Sequence, residues 1–331
     1  MKMNRRQILA STCAAIAVPL FAPHVARAAT RKFRLGHNNS PTSAIHLGAV
    51  EIQKFIAEKS EGRLTLELFP SAQLGGDLAL VKAVSEGTLD ATICGTAAMA
   101  SVAPDLELLE LPFMIKDIAS GRKAFDGPLS EFVSEKLKPS NVLYIGPGES
   151  GFRHITANKP VRKPEDLAGL KIRVQPSKVQ LAVFKGLGAM PEAINFSELA
   201  EALRVGRTDA QENPIGIITA NEFLQKSQTH ISLTGHIYST LNILFSADVM
   251  DELSEADRAI VRNGGKAGVA ATRTISDQAT AAGLDRLKAA GMTVVADVDK
   301  AAFQKAVDGL GDQLKPIVNP SALSQLQKLV A

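Results

Sequence analysis

The sequence predicts an α/β fold in two lobes bridged by one long helix, and three observations carry that reading. Strand-like and helix-like segments alternate in a β-α-β-α-β opening, the order that builds mostly parallel sheets with helices on their faces. About 300 of the 331 residues remain once an N-terminal leader is set aside, more than one hydrophobic core usually organises. From Glu255 to about Ala290 alanine is abundant and proline absent. That stretch predicts one helix roughly 50 Å long at 1.5 Å per residue, longer than a single lobe needs.

The elements follow in order. Phe33 to Gly36 reads as a short strand. Ser43 then opens a helix that places Ile45, Ala49, Ile52 and Ile56 on one face. Leu64 to Phe69 alternates like a half-buried strand and stops at Pro70. A helix over 76–86 closes at Gly87, and Leu89 to Cys94 forms the next strand. Asn141 to Ile145 is a further strand. The Gly/Pro-rich stretch Gly146 to Gly151 is expected to be the crossover into a second lobe. That lobe is expected to hold strands at 152–156 and 170–174 and a helix over about 177–187. Another helix runs from Ser197 to Val205, N-capped by Ser197. Residues 229–246 look strand-rich and return toward the first lobe. The long helix is expected to be weakened at Gly264-Gly265 and stopped by Gly291.

The first 28 residues read as a secretory signal peptide rather than as fold. Lys2, Arg5 and Arg6 supply the charge, an apolar run extends from Ile8 to Phe21, and Ala26-Arg27-Ala28 is an A-x-A cleavage pattern. Arg5-Arg6 followed by Gln7-Ile8-Leu9 resembles a twin-arginine signal, an ordinary Sec signal being the alternative. The leader carries four basic residues (Lys2, Arg5, Arg6, Arg27) and no acids. The chain's 37 Lys and Arg therefore fall to 33 against 34 Asp and Glu. The basic balance belongs to the precursor, and nothing argues for nucleic acid. Cys94 is the single thiol left, so no internal disulfide is expected even after export.

Arg153, Arg173 and Asn213 are the leading candidates for function. The arginines stand in the strand-like G151-F-R-H-I-T and G169-L-K-I-R-V, and the asparagine in D209-A-Q-E-N-P. Two guanidiniums and an amide converging on one cleft would clamp a carboxylate, because the planar fork of arginine matches its two oxygens. Locally, Asn213 also reads as a helix N-cap ahead of Pro214. G146-P-G-E-S-G151 matches a dinucleotide fingerprint, with Glu165 and Asp166 near the ribose-binding spacing. That reading, an NAD-dependent enzyme, requires a helix directly after the glycines, where Phe152 to Ala157 alternates like a strand. The histidines at 37, 46, 154, 230 and 236 are dispersed, so no metal site is expected.

The ordered set L35-G-H-N, F69-P-S-A-Q-L-G-G-D, S85-E-G-T-L-D, L111-P-F, G151-F-R, E165-D-L-A-G-L-K-I-R-V, L187-G-A-M-P, F196-S-E-L, D209-A-Q-E-N-P and T234-G-H-I-Y resembles the substrate-binding proteins of TRAP (tripartite ATP-independent periplasmic) transporters. The resemblance covers essentially all the mature chain. It implies the two-lobed periplasmic-binding-protein fold, with hinge strands, a long helix spanning both lobes and closure around ligand. It places residues 29–150 and about 239–278 in lobe I, and 151–238 and about 279–331 in lobe II. It implies that Arg173 binds the ligand carboxylate, with Arg153 and Asn213 beside it, Phe196 lining the pocket and His236 nearby. The loop His37, Asn38, Asn39 matches a ligand-contacting region, and Asn38, Asn39 and Thr96 could read hydroxyls. The sequence departs from the pattern at Ala200 and Ala210, and Gly95-Thr96-Ala97-Ala98 carries no charge. Two arginines without a first-lobe cation favour a hydroxylated monoacid, with a C4-dicarboxylate or another carboxylate as the alternative. The implied protein is a periplasmic binder without cofactor or catalysis. It would be monomeric or dimeric and would hand its ligand to integral membrane subunits of a symporter.

Overall fold

The computed structural model describes residues 30–330; the expected signal peptide lies outside them. Ten strands carry the architecture: β1 (Arg31–Gly36), β2 (Leu64–Phe69), β3 (Ala91–Gly95), β4 (Val142–Ala157), β5 (Lys171–Val174), β6 (Met190–Ala193), β7 (Ala210–Pro214), β8 (His230–Ser232), β9 (Tyr238–Ser246) and β10 (Thr293–Val295). The helices used below are α1 (Ala44–Lys59), α2 (Asp77–Ser85), α3 (Ile118–Phe125), α4 (Pro128–Leu137), α5 (Lys178–Gly186), α6 (Phe196–Arg204), α7 (Ile215–Ala220), α8 (Glu255–Ala289), α9 (Lys300–Asp308) and α10 (Pro320–Val330).

The main path of the sheet is β2-β1-β3-β9-β4-β7-β5-β6. In the first lobe β1 lies parallel to both β2 and β3, while β9 runs antiparallel to β3 and β4. In the second lobe β5 lies parallel to β6 and β7, β7 is antiparallel to β4, and β8 joins β4 to β10. The carboxyl ends of β1 and β3 lead into one side of the cleft, those of β5 and β7 into the other. Open α/β sheets usually bind ligands at such ends.

The two lobes share one continuous strand. Gly146 to Gly151, expected to be a crossover loop, lies inside the 16-residue β4. Bulges between Tyr144 and Gly146 and between Glu149 and Gly151 absorb the local irregularity. The strand pairs with β9 over Val142–Phe152, then with β7 over Arg153–Ala157. No helix follows the glycines, which removes the dinucleotide reading. Their role is close packing: a Cβ at Gly148 would lie 2.9 Å from the Leu241 carbonyl oxygen and 2.8 Å from Thr272 Oγ1 on α8.

Ser43 caps α1, which buries Ile45, Ala49, Ile52 and Ile56 as the pattern predicts. Helix α8 is unbroken over 35 residues and starts at its Ser254 cap. Gly264-Gly265 does not weaken it visibly, because these glycines form the contact face. A Cβ at Gly265 would fall 2.0 Å from Ile145 Cγ2, and one at Gly268 2.5 Å from Ile52 Cγ1 and 3.2 Å from the Gly48 carbonyl oxygen. The helix thus lies against α1 and β4 together.

Three local expectations need correction. Helix α6 starts at Phe196, with Asn195 rather than Ser197 at the N-cap position. Asn213 is a strand residue, and Pro214 occupies the N-cap position of α7. The C-terminal segment does not stay with the second lobe: Ala322 and Leu326 of α10 join the cluster that holds Leu129, Phe132 and Val133 of α4. An amphipathic helix goes where an uncovered apolar face remains. Gly268→Ala is expected to lower stability by about 1–3 kcal/mol through overpacking against Ile52 and the Gly48 backbone. Thermal unfolding with unchanged far-ultraviolet circular dichroism would check this.

Candidate functional site

A buried cavity of about 50 Å³ lies between the lobes. Its first-lobe wall includes Asn38, Asn39, Asp77, Gly95 and Ala98, and its second-lobe wall Arg153, Arg173, Gln175, Phe196 and Asn213. Asn38 and Asn39 follow β1, Asp77 opens α2, and Gly95 ends β3. Arg173 sits near the end of β5 and Asn213 near the end of β7.

The two arginines have different jobs. Arg153 stands diagonally across the β4–β7 ladder from Glu212, a spacing that long side chains bridge. Its Nη2 donates to Glu212 Oε1 at 2.6 Å and to the Glu212 carbonyl at 2.6 Å, and its Nε donates to Glu212 Oε2. Nη2 also reaches Asn213 Oδ1 at 3.2 Å. Glu212 and Arg153 are 0 % and 2 % exposed. Burial alone would raise the Glu212 carboxyl. The Arg153 charge and the hydrogen bonds from His236 and Arg153 outweigh burial and hold it well below the ordinary carboxylate range. An isolated buried charge would be costly, and this pairing is what makes it tolerable.

Arg173 is also 2 % exposed but has no ion-pair partner within reach among the described residues. Its Nε donates to the Ile194 carbonyl at 2.8 Å, and its guanidinium lies 5.9 Å from the centre of the Phe196 ring. Its Nη1 is buried with no hydrogen-bond partner. Burial lowers its pKa, with Glu212 and Asp77 opposing and Arg153 reinforcing, to about 10, so it stays charged at neutral pH. Arg173 is therefore a buried cation without a carboxylate partner among the described residues.

Two residues of the same cavity wall carry unsatisfied acceptors. Asp77 Oδ1 and Asn39 Oδ1 are buried and have no hydrogen-bond partner among the described residues. Burial raises the Asp77 carboxyl to about 6, against the lowering effects of the Gly95 amide, Arg173 and Asn38. Asp77 lies in the F69-P-S-A-Q-L-G-G-D motif and was not among the sequence candidates, although an acid at a helix start beside a cleft is a signal for it.

Three expected residues lie outside the cavity wall. His236 donates from Nε2 to Glu212 Oε2 at 3.2 Å, its Nδ1 lies 2.8 Å from Thr234 Oγ1, and it packs edge-on against Phe184. It buttresses Glu212, which in turn holds Arg153. His37 pairs with His46 at 3.1 Å and accepts from the Asn39 amide at 3.3 Å. It shapes the asparagine loop instead of facing the cavity. Thr96 lies 3.1 Å from Thr240 Oγ1, while its neighbours Gly95, Ala97 and Ala98 line the wall.

Two acids unforeseen in the sequence, Glu107 and Glu110, brace the site from the segment Pro104–Glu110. Glu107 accepts from Ser177 Oγ at 2.6 Å, from the Lys178 amide at 3.0 Å and from the Val179 amide at 3.1 Å. An acid is favourable at such a helix start, and this one fixes α5 just beyond the cavity residues Gln175 and Pro176. Glu110 accepts from Gln180 Nε2 at 2.6 Å.

The cavity thus combines cationic residues of the second lobe with neutral and acidic residues of the first. Residues 35–315 match the family model described as bacterial extracellular solute-binding protein, family 7. The chain belongs to that family, the DctP-type TRAP solute-binding proteins. It is 32 % identical over 289 residues to the 2,3-diketo-L-gulonate-binding periplasmic protein YiaO of Escherichia coli, covering 87 % of each chain. Among solved structures, it resembles a TRAP periplasmic solute-binding protein from Polaromonas bound to D-erythronate. That match has a TM-score of 0.84 and 31 % identity, covering 89 % of this chain and 98 % of that one. The sugar acid-binding protein DctPAm of Advenella mimigardefordensis in complex with galactonate gives a TM-score of 0.87 and 26 % identity, covering 91 % and 98 %. The family's members are substrate-binding proteins rather than enzymes.

Burial, joined by the Glu212 and Glu107 charges and opposed by Arg153 and Gln180, raises Glu110 to about 7. A carboxyl with a raised folded pKa keeps its proton in the native state after the unfolded chain has lost it, so its contribution is complete below the unfolded value of 4.5, is lost as pH climbs from there to about 7, and changes no further above that. Glu110→Gln should leave the melting temperature near that of wild type at about pH 4 and raise it by several degrees at about pH 8. Calorimetric scans of both proteins across this range would show whether the difference grows between 4.5 and about 7 and then levels off.

Proposed function

We propose that this protein captures a polyhydroxylated monoacid, an aldonate or uronate, in the periplasm and delivers it to the membrane subunits of a TRAP symporter. The observation that carries the reading is the set of unpartnered buried atoms: one guanidinium donor on the second lobe faces two oxygen acceptors on the first. A carboxylate satisfies the donor, and hydroxyl hydrogens satisfy the acceptors. A second ligand carboxylate at the distal end would meet the Asp77 carboxylate and no cation from the first lobe. That is the unfavourable arrangement of like charges in a buried site.

In this mechanism Arg173 holds the ligand carboxylate, with Arg153 Nη1 and Asn213 beside it. Phe196 lies over the Arg173 guanidinium, and Asn38, Asn39 and Asp77 take the hydroxyls. The ligand contacts both lobes only when they are together, so its binding energy shifts the population toward the closed state. Ser40 Oγ and Thr42 Oγ1 of the first lobe lie 3.2 Å and 3.3 Å from the Ala220 carbonyl of the second, which fits a closed cleft. Residues 1–28 supply the export signal, and the mature protein works as a monomer.

Isothermal titration with D-galactonate, D-glucuronate, D-erythronate and succinate tests the reading. At least one sugar acid should bind well above succinate, whereas tight succinate binding with silent sugar acids would overturn it. Arg173→Lys should weaken the preferred acid by about 10- to 100-fold, the equivalent of one charge-assisted hydrogen bond at roughly 1.5–3 kcal/mol. Asp77→Asn should weaken sugar acids about tenfold and narrow the margin over succinate, by loss of one hydroxyl acceptor and one repelling charge.

A further inference from the structure

A second cavity, of about 350 Å³, opens between the lobes beyond Ser150, a residue that also lines the first. Its floor is apolar, formed by Phe113, Ile115, Ile118, Phe152 and Ile215. Its polar lining consists of Lys116, His154, Lys300, Gln304, Ser150 and Thr280, with no carboxylate among them. Neither lysine forms an ion pair among the described residues. The nearby acids are committed elsewhere: Asp117 caps α3 by accepting from the Ser120 amide at 2.7 Å, and Asp299 caps α9 by accepting from the Ala302 amide at 2.9 Å.

His154 supplies the decisive donor. It is 9 % exposed, and its Nδ1 accepts the Gly235 amide at 3.0 Å. Accepting at Nδ1 places the ring proton on Nε2 in the neutral imidazole. Nε2 has no protein partner among the described residues, and the ring lines the cavity. Burial, together with the neighbouring His236 and Lys300 charges, lowers its pKa to about 3, so the ring remains a neutral donor.

We infer that this second cavity binds a small amphipathic carboxylate, its apolar body on the Phe113–Phe152 floor and its anion held by Lys116, Lys300 and the Nε2–H of His154. An apolar floor with a few polar groups is the usual make-up of a small-molecule site, and a rim with two lysines free of ion pairs and no carboxylate favours an anion. Lys116 precedes α3 in the first lobe, whereas Lys300 opens α9 in the second. A carboxylate touching both therefore binds the closed arrangement in preference to the open one and acts in concert with the ligand of the first cavity.

Fluorine NMR with 4-fluorobenzoate as the probe tests this on the whole mature protein. Saturable binding is expected for wild type. The double variant Lys116→Ala/Lys300→Ala should bind at least tenfold more weakly. In protein labelled with nitrogen-15 on histidine, the Nε2 resonance of His154 should move along the same titration curve. Two results would each overturn the inference: no saturable binding, or binding unchanged in the double lysine variant. A probe that binds while the His154 resonance stays fixed would likewise place it elsewhere.

Discussion

The structure depends on how two buried guanidiniums are neutralised. Arg153 is neutralised from within: Glu212 takes its fork, and His236 holds Glu212 from behind. Arg173 is not: Nε meets a carbonyl, and Nη1 is buried without a partner among the described residues. An unpaired buried charge raises the free energy of any state that keeps it dry. On the proposed reading, an acid in the cleft completes these electrostatics: the scaffold fixes one cation, and the guest matches the other.

The fold serves that contrast directly. The carboxyl ends of β1 and β3 aim one set of loops at the cleft, and those of β5 and β7 aim the other. Two strands, β4 and β9, connect the halves, and α8 runs beside them with glycines at its closest approaches. Glu107 extends the same logic outward, since it secures the start of α5 beside the segment that carries Arg173, Gln175 and Pro176.

Much of this was legible in the sequence because it follows from periodicity and capping. The buried face of α1, its Ser43 cap and the limits of α8 are local signals that the tertiary structure has no reason to override. Gly146 to Gly151 misled for a physical reason. Glycine and proline usually mark turns, but here they let a long helix cross a continuous strand at close range. Asn213 misled in the same way, because a residue before proline resembles a cap until strand pairing decides otherwise. At the site, Arg153, Arg173, Asn213, Phe196, Asn38 and Asn39 were all brought to one cavity. His37, His236 and Thr96 were placed behind it. Sequence spacing brings residues to the right neighbourhood, but which side chain faces the cavity depends on partners that are distant in the chain, as Glu212 is for His236.

The central claim is that Arg173 receives the acid while the first lobe receives hydroxyls. A crystal structure of the mature protein grown with D-galactonate measures this most directly. The account predicts a closed cleft in which the galactonate carboxylate lies against the Arg173 guanidinium and a hydroxyl oxygen lies within hydrogen-bond distance of Asp77. A reversed ligand with its carboxylate on the asparagine loop, or a closed complex in which Arg173 touches no ligand oxygen, would contradict it.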